Sequence, residues 1–294
     1  MRRERQGEYI GRDAALAAAL LILAGGLASR SLQAQQPPRV GSARLYIFDC
    51  GVLKRGEPTA YNLTREQVGS TDFSDACFLV AHPRGSLLWD VGIIPDDQIT
   101  PGGVEQPTPR GNNVATRTLR SQLKAIGYTP ANITYLAISH GHADHIANAN
   151  EYAGSTLLMQ RAEWESLFSE EAQKQPLFAT YSALKTTKTM KLDGDHDVFG
   201  DGTVVLKSTP GHTPGHQSLF LRLAKTGPIV LTGDLYHYAA ERTLGKIPNN
   251  DNRAQTERSR VQIEELLKKT GAQLWIQHDI LTNATLKKSP QYYE

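Results

Sequence analysis

The stretch from Tyr135 to Asn150 restricts the possible folds of this chain most strongly, because it gathers three histidines and one aspartate within six residues. The apolar letters YLAI come first and are typical of a short β-strand, whereas the residues from Ile146 onward are more typical of a helix. The polar cluster therefore lies on a predicted loop between a strand and a helix. Its members are His140, His142, Asp144 and His145.

The spacing within this loop predicts that it serves two metal ions. Residues two apart at a strand end point the same way, so His140 and His142 can converge on one ion, while Asp144 and His145 can face a second. The alternative is a polar loop with solvated histidines. The whole chain holds only nine histidines, so a chance cluster of three is rare and we prefer the metal site.

Two metals need more ligands than one loop offers, so isolated His and Asp residues at other strand ends become candidates. His212 follows the apolar letters VVL in a turn rich in glycine and proline, KSTPGHTPGH. Asp234 ends the run IVLTGD, and His278 ends the run LWIQH.

The order of these motifs, H-x-H-x-D-H, then G-H-T-P-G-H, then G-D and a late H-D, resembles the metallo-β-lactamase superfamily. Within that superfamily the chain is most similar to the quorum-quenching N-acyl-homoserine lactonases. The similarity extends from about Arg44 nearly to the C-terminus. The segments that carry it are Leu45–Lys54, Gly211–Phe220, Gly233–His237 and Gln277–Ile280.

The resemblance implies an α/β fold, an αββα sandwich with two divalent metal ions at one edge between the sheets. Nitrogen and oxygen ligands without thiolate favour zinc. The implied ligands are His140, His142 and His212 for one ion, Asp144, His145 and His278 for the other, and Asp234 as the bridge.

The implied reaction is opening of a lactone ring by a hydroxide held between the two ions. Asp144 would carry the proton to the leaving group. Better-known relatives have a tyrosine three residues after the bridging aspartate, but this chain has His237 there. We therefore expect His237 to donate to the carbonyl oxygen, with Tyr236 as the second candidate catalytic residue.

Expectations also attach to three further residues. The resemblance implies that Asp90, at the end of an apolar strand, orients a metal-bound histidine, and the alternative is a cap of the strand end. The resemblance also implies that His216 supports the site without binding metal. His82 is expected to be exposed because it lies in a predicted turn. Some relatives have bulky apolar residues inside the histidine cluster where this chain has Gly141 and Ala143, so the resemblance does not fix an acyl-chain preference.

Other functions compete with the lactonase interpretation. The main alternative is an exported phosphotriesterase or aryl-ester hydrolase of the same fold, and a metal-binding protein without catalysis is the alternative from another class. The net charge is +2, without a basic stripe, so we expect no nucleic acid partner. The resemblance implies a small-molecule substrate, an acyl-homoserine lactone. A homodimer stays open.

The N-terminal residues resemble a secretory signal. Arginines precede an apolar stretch from Ala14 to Ala28, which at about 15 residues is short for a membrane span. We expect a signal peptide over residues 1–34, a linker over 35–43 and a hydrolase domain over 44–294, with export to a bacterial periplasm. A membrane association follows only if the segment is an uncleaved anchor.

Cys50 and Cys77 each fall in or beside a predicted early strand and do not form a C-x-x-C metal pair. They could bridge in an oxidising compartment if those strands are neighbours. We slightly prefer two buried free thiols.

The remaining pattern predicts a first strand over Ala43–Phe48 and a hairpin that turns at Pro83–Gly85. Residues 175–197 have no regular pattern. We expect them either to form a wall of the substrate pocket or to connect helices on the surface. Proline, glycine and asparagine make Ile94–Asn113 an expected exposed loop. Helices are expected over Val114–Gly127 and Ala162–Lys174.

Overall fold

The computed structural model describes residues 36–294, so the predicted signal segment lies outside the described residues. Over residues 36–294 the chain forms thirteen β-strands and eight α-helices, and none of these helices is long and apolar enough to cross a membrane. The strands are β1 (Arg44–Arg55), β2 (Phe73–His82), β3 (Gly85–Trp89), β4 (Val104–Thr108), β5 (Gly111–Ala115), β6 (Tyr135–Ala137), β7 (Thr156–Gln160), β8 (Thr189–Leu192), β9 (His196–Asp197), β10 (Val204–Ser208), β11 (Gln217–Leu223), β12 (Gly227–Leu231) and β13 (Gln273–Trp275). The helices are α1 (Leu119–Ala125), α2 (Ala143–Ile146), α3 (Arg161–Leu167), α4 (Glu170–Gln173), α5 (Phe178–Tyr181), α6 (Ala239–Leu244), α7 (Arg253–Thr270) and α8 (Ile280–Thr285).

The strands form two mixed sheets. One has eight strands in the order β4-β5-β1-β2-β3-β6-β7-β8, and the other has five in the order β13-β12-β11-β10-β9. Strands β3, β6, β7 and β8 pair in parallel, as do β12 and β13, whereas the hairpins pair antiparallel. Helices cover the outer face of each sheet, so the predicted αββα sandwich is confirmed.

Side-chain alternation along the strands divides the apolar core into layers. Leu45 and Ile47 of β1 point between the sheets, where they join one cluster with residues of the smaller sheet. Tyr46 and Phe48 point to the opposite face, where they join a cluster with α1. Strand β2 is buried at all ten positions because both of its faces are covered.

The expected exposed loop over Ile94–Asn113 is partly wrong, because it contains β4 and most of β5. Strand β1 is longer than predicted, and its free edge pairs with β5 from Val52 to Arg55. The sequence GNNVA does not have the apolar pattern of a strand. Its residues form β5 because they pair with β1 and β4. The following helix consequently begins only at Leu119.

The predicted helix over Ala162–Lys174 is two helices, α3 and α4. The Ser169 side chain accepts a hydrogen bond from Ala172 N and begins the second one. The next segment, residues 175–197, packs through Tyr181 and Leu184 on the outer face of the larger sheet. It supplies α5, β8 and β9.

The preference for free thiols is wrong, because Cys50 and Cys77 form a disulfide with a Cα–Cα distance of 5.9 Å. The two cysteines lie on the paired strands β1 and β2, and the register shifts between Asp49 and Gly51. Cys77 is paired in register with Phe48, so Cys50, the extra residue of this bulge, reaches Cys77 diagonally, through a local irregularity that the sequence does not reveal.

The expectation that His82 is exposed is also wrong. Its ring stacks on Phe199 with a centroid separation of 4.0 Å, and its Nε2 lies 3.1 Å from Asp201 Oδ2. The segment before β10 covers the β2–β3 turn and buries the ring, so the turn position gave a misleading signal.

Candidate metal centre

Four chain segments that follow strands meet at one edge of the sandwich. They are the loop after β6, the turn between β10 and β11, the turn after β12, and the residues after β13. These segments bring all seven predicted metal ligands together in two groups. The groups are His140, His142, His212 and Asp234, and Asp144, His145 and His278.

The first group converges through three ring nitrogens and one carboxylate oxygen. His142 Nδ1 lies 2.9 Å from His140 Nε2 and 3.0 Å from His212 Nε2. Asp234 Oδ2 lies 3.6 Å from His140 Nε2 and 3.4 Å from His212 Nε2. Burial, and next the neighbouring His145, lower the pKa of His140 well below its ordinary value, so its ring is neutral and can act as a ligand.

The second group faces the other oxygen of the same aspartate. Asp234 Oδ1 lies 3.2 Å from His145 Nε2 and 3.1 Å from His278 Nε2. Asp144 completes the group, with Oδ2 3.5 Å from His278 Nε2 and Oδ1 3.8 Å from His145 Nε2. Asp234 therefore offers one oxygen to each group, as a bridging carboxylate would.

Two buried atoms at the centre show that these residues fit divalent cations. His145 Nε2 and Asp234 Oδ1 are both buried and make no hydrogen bond. Leaving such atoms unsatisfied is costly, whereas metal coordination would satisfy both. The donors are imidazole nitrogens and carboxylate oxygens without thiolate, a set that suits zinc and also other first-row divalent metals.

Hydrogen bonds on the outer side of three rings direct their Nε2 atoms towards the centre. His145 Nδ1 lies 2.9 Å from Asp90 Oδ2, and His278 Nδ1 lies 2.9 Å from the carbonyl oxygen of Ser74. His212 Nδ1 lies 3.0 Å from Asp251 Oδ1. Such partners fix the tautomer and orientation of a ligating ring. Asp90 thus makes the contact that the resemblance implies.

His216 supports Asp234 and does not join either group. Its Nε2 accepts a hydrogen bond from Asp234 N at 2.9 Å, and its Nδ1 donates to the carbonyl oxygen of Thr209 at 3.0 Å. Burial lowers the pKa of His216 to about 3, so the ring stays neutral and its Nε2 can accept. The predicted supporting role is confirmed by these contacts.

The sequence matches a known protein superfamily. A sequence model of the metallo-beta-lactamase superfamily matches residues 71–271. The chain belongs to the metallo-β-lactamase superfamily. With the two histidine and aspartate groups, it is a metal-dependent hydrolase of that superfamily with a centre suited to two metals.

Relatives within the superfamily include N-acyl homoserine lactonases. The chain is 30% identical over 269 residues to the N-acyl homoserine lactonase AttM of Azorhizobium caulinodans, and the match covers 85% of this chain and 98% of that protein. It is 29% identical over 223 residues to an N-acyl homoserine lactonase of a Bacillus species, covering 74% of this chain and 85% of that protein.

Solved structures of the superfamily share the fold. An N-acyl homoserine lactone hydrolase with N-hexanoyl-L-homoserine bound at its catalytic metal centre has a TM-score of 0.69 at 24% identity, covering 85% of this chain and 98% of that one. The dizinc quorum-quenching lactonase AidC has a TM-score of 0.58 at 18% identity, covering 88% and 96%.

Glu163, which no sequence pattern indicated, is a buried carboxylate that joins two ligand-bearing loops of this metallo-β-lactamase fold. Its Oε1 accepts from Gly141 N at 2.7 Å, and its Oε2 accepts from Gly215 N at 2.9 Å and from the Thr213 hydroxyl at 2.7 Å. No local pattern distinguishes this glutamate from the exposed Glu165 on the same helix, since the partners of Glu163 lie in distant loops.

Gly141 packs closely against the side chain of Leu167 within this fold. A Cβ atom there would lie 2.3 Å from a methyl carbon of Leu167 on α3. The absence of a side chain between His140 and His142 therefore allows α3 to pack against this loop. Leu167 fills the space beside Gly141, so that space is not available to a substrate. Ala143, by contrast, lines the cavity.

Of the two candidate donors to a carbonyl oxygen, only His237 faces the metal centre. Its Nε2 lies 3.1 Å from Asp234 Oδ2, whereas the Tyr236 hydroxyl lies 3.4 Å from Glu264 Oε1 and its ring packs beneath Arg260. Tyr236 belongs to the outer cluster with α7, because the backbone after β12 turns its side chain away from the centre.

The protonation of His237 follows from its neighbours. Burial disfavours a charged ring, but the charges of Asp234 and Glu241 raise the pKa of His237 to about 10. Its Nε2 therefore carries a proton at neutral pH in the metal-free protein. The ring of Tyr61, which the sequence analysis did not single out, lies 4.5 Å from the ring of His237.

A cavity of about 520 Å³ opens above the centre, large enough for a drug-sized molecule. Asp144 and His237 are at its floor with the ligand groups, and residues 175–197 do not contribute to its walls. The walls contain both apolar and polar residues. They include Leu53, Phe73, Ile93 and Pro248, and Arg55, Thr108, Arg110, Asn113 and Asn250.

Proposed function

We propose that this hydrolase opens the lactone ring of N-acyl-homoserine lactones. The observation that carries the proposal is the bridging position of Asp234 between two ligand groups at the floor of a cavity, with Asp144 at its edge. The 30% identity to AttM over most of both chains supports it, because that relative is an N-acyl homoserine lactonase.

Two divalent cations, with zinc as our first choice, would be held by His140, His142 and His212, by Asp144, His145 and His278, and by Asp234 between them. When bound, such a pair lowers the pKa of a water molecule towards neutrality and polarises an ester carbonyl, so no serine or cysteine nucleophile is needed.

The side chains of the chain supply positioning and proton transfer. Asp144 is partly exposed to the cavity, with 17% of its side-chain surface accessible, so one of its oxygens can exchange a proton with a bound substrate. It would pass the proton from the nucleophile to the departing alkoxide of the ring. His237 would donate from Nε2 to the carbonyl oxygen as negative charge develops there.

We also propose that the enzyme is exported. The arginine-led apolar segment before residue 35 supports this location. The disulfide between Cys50 and Cys77 supports it as well, since such bonds persist mainly in oxidising compartments. An enzyme in the periplasm would meet acyl-homoserine lactones as they cross the envelope.

The direct test is hydrolysis of short- and long-chain acyl-homoserine lactones by the zinc-loaded full chain, followed by pH-stat and mass spectrometry. We expect ring opening that is lost in His142→Ala. Paraoxon and nitrocefin are the comparison substrates. Fast paraoxon or aryl-ester turnover beside weak lactone opening would favour the phosphotriesterase or aryl-ester hydrolase instead.

The role of His237 is tested against its neighbour in sequence. In His237→Gln we expect kcat to fall by about 100- to 1,000-fold with a smaller change in KM, as for loss of one oxyanion donor. Tyr236→Phe is the matched control, because its hydroxyl lies beside Glu264 and not in the cavity. Equal losses in both variants would contradict the assignment.

A further inference from the structure

The cavity contains a cation without a counter-ion. Alternation along β1 places Leu53 and Arg55 on the face that lines the cavity, whereas Lys54 points to the other side. Lys54 Nζ lies 3.0 Å from Glu105 Oε1 and is paired. Among residues 36–294, no carboxylate oxygen forms an ion pair with the guanidinium of Arg55.

Arg55 is held in place by neutral oxygens. Its NH2 group donates to Asn113 Oδ1 at 3.1 Å, and its NH1 group donates to the carbonyl oxygens of Lys54 at 3.3 Å and Asn112 at 3.5 Å. Its backbone N–H donates to Asp72 Oδ1 at 2.9 Å, which anchors the end of β1. A guanidinium has five N–H groups, so two remain for a ligand.

This arrangement is unusual because half-buried cations are normally paired with an acid. The strongest opposite charge that acts on Arg55 is that of Asp144. Burial lowers the pKa of Arg55, and the charge of Asp144 opposes that shift. Asp144 is one of the proposed metal ligands, so a bound cation would take up its charge and leave Arg55 uncompensated.

A second cation strengthens the positive end of the cavity. Arg110 lies at the turn between β4 and β5 and also lines the cavity, and its charge acts against that of Arg55. A bound anion would offset the repulsion between these two cations. Leu53, on the same face of β1 as Arg55, and Phe73 add apolar surface to the cavity.

We propose that Arg55 binds a carboxylate at the far end of the acyl chain, so that the preferred substrates are lactones whose acyl groups end in a carboxylate. The inference rests on the proposed lactonase function and specifies its substrate class. A guanidinium and a carboxylate form two parallel hydrogen bonds, which fits the free N–H groups of Arg55. Neutral acyl chains leave the same guanidinium without a partner.

The test compares matched lactones in the zinc-loaded full chain. Homoserine lactones acylated with dicarboxylic acids of about four to eight carbons, bonded through one carboxyl group, are compared with neutral acyl chains of the same lengths. At the length that reaches Arg55 we expect kcat/KM to favour the acid by about tenfold or more, since hydrogen bonds between charged groups are worth about 1.5–3 kcal/mol.

Variants separate a local contact from general charge attraction. In Arg55→Gln the preference for the acid should disappear, while turnover of the neutral lactone changes by less than about twofold. Arg55→Lys should keep part of the preference. Lys54→Gln also removes one positive charge, but from the face of β1 that points away from the cavity. This variant should keep the full preference for the acid. Equal losses in Arg55→Gln and Lys54→Gln would overturn the proposal.

A binding measurement separates this proposal from the proposed function. Calorimetry gives the affinities of hexanoate and adipate for the zinc-loaded protein, and the excess affinity for adipate should fall in Arg55→Gln only. If neither lactone series is opened but adipate still depends on Arg55, the lactonase function fails and the anion site stands. If lactones are opened without any preference for the acid at any length, the anion site fails alone.

Discussion

His212 Nδ1 lies 3.0 Å from Oδ1 of Asp251, a carboxylate 39 residues further along the chain. This contact fixes the ring of His212 so that Nε2 points at the first ligand group. Asp251 itself is held by a hydrogen bond from the Thr256 hydroxyl at the start of α7. The orientation of one candidate metal ligand therefore depends on a helix that carries no ligand.

Replacing Asp251 should weaken metal binding. In Asp251→Asn the carboxylate that orients His212 is lost, and we expect zinc affinity at the first group to fall by about 10- to 100-fold. Competition with a chromogenic chelator measures this affinity directly. Asp193→Asn, which removes an exposed carboxylate paired with Arg161, should leave it unchanged. An unchanged affinity in Asp251→Asn would show that His212 needs no such support.

Glu163→Gln should disturb both ligand-bearing loops at once. All three groups that Glu163 binds are donors, so the amide of glutamine would place its own N–H against one of them. We expect the free energy of unfolding to fall by about 1–3 kcal/mol, measured by urea denaturation.

The matched control for Glu163 is Glu165→Gln, two residues along the same helix. Glu165 is exposed and should change stability by less than about 0.5 kcal/mol. Zinc content should fall only in Glu163→Gln, because its partners Gly141 and Thr213 adjoin the candidate ligands His140, His142 and His212. Equal stability of the two variants would show that the loops hold themselves in place.

The candidate ligands of the loop after β6 could be predicted from their spacing, because His140, His142 and Asp144 are separated by single residues. The full candidate set came from the family resemblance, with His278 three residues after the end of β13. Glu163 and Asp251 could not be predicted, because each acts through partners in distant loops and resembles an ordinary surface acid in its own helix or turn.

Side-chain direction was a second limit. Tyr236 and His237 are neighbours in sequence, yet one packs under α7 and the other faces the centre. Only the backbone path after β12 decides between them. The disulfide was unpredictable for a similar reason, since Cys50 reaches Cys77 through a bulge in β1 that no local signal marks.

Removing the disulfide should lower stability without altering the centre. The bond closes a loop between residues 27 apart, for which we expect a loss of about 2–4 kcal/mol in the free energy of unfolding in the double variant Cys50→Ala, Cys77→Ala. The free energies of unfolding of the oxidised and the reduced wild-type protein should differ by the same amount. Equal stability with and without reductant would contradict it.

Asp75 predicts a pH dependence of stability. It is a buried carboxyl whose Oδ2 makes no hydrogen bond. Burial, and next the charge of Asp144, raise the pKa of Asp75 from 3.8 to about 8. The folded metal-free protein keeps this proton up to about pH 8, whereas the unfolded chain loses it near pH 4. The unfolded state then binds fewer protons, so stability falls as pH rises through this window.

Asp75→Asn removes that titration, so Tm of the variant minus Tm of the wild type should grow from pH 4 to 8 and level off above it. The measurement is a thermal melt series on EDTA-treated protein. Asp97→Asn, an exposed carboxylate, should give a flat difference. Bound zinc should reduce the difference in Tm between Asp75→Asn and the wild type. Nearby cations favour the ionised form of the Asp75 carboxyl in the wild type. A flat difference in Asp75→Asn would mean that Asp75 is ionised in the folded protein.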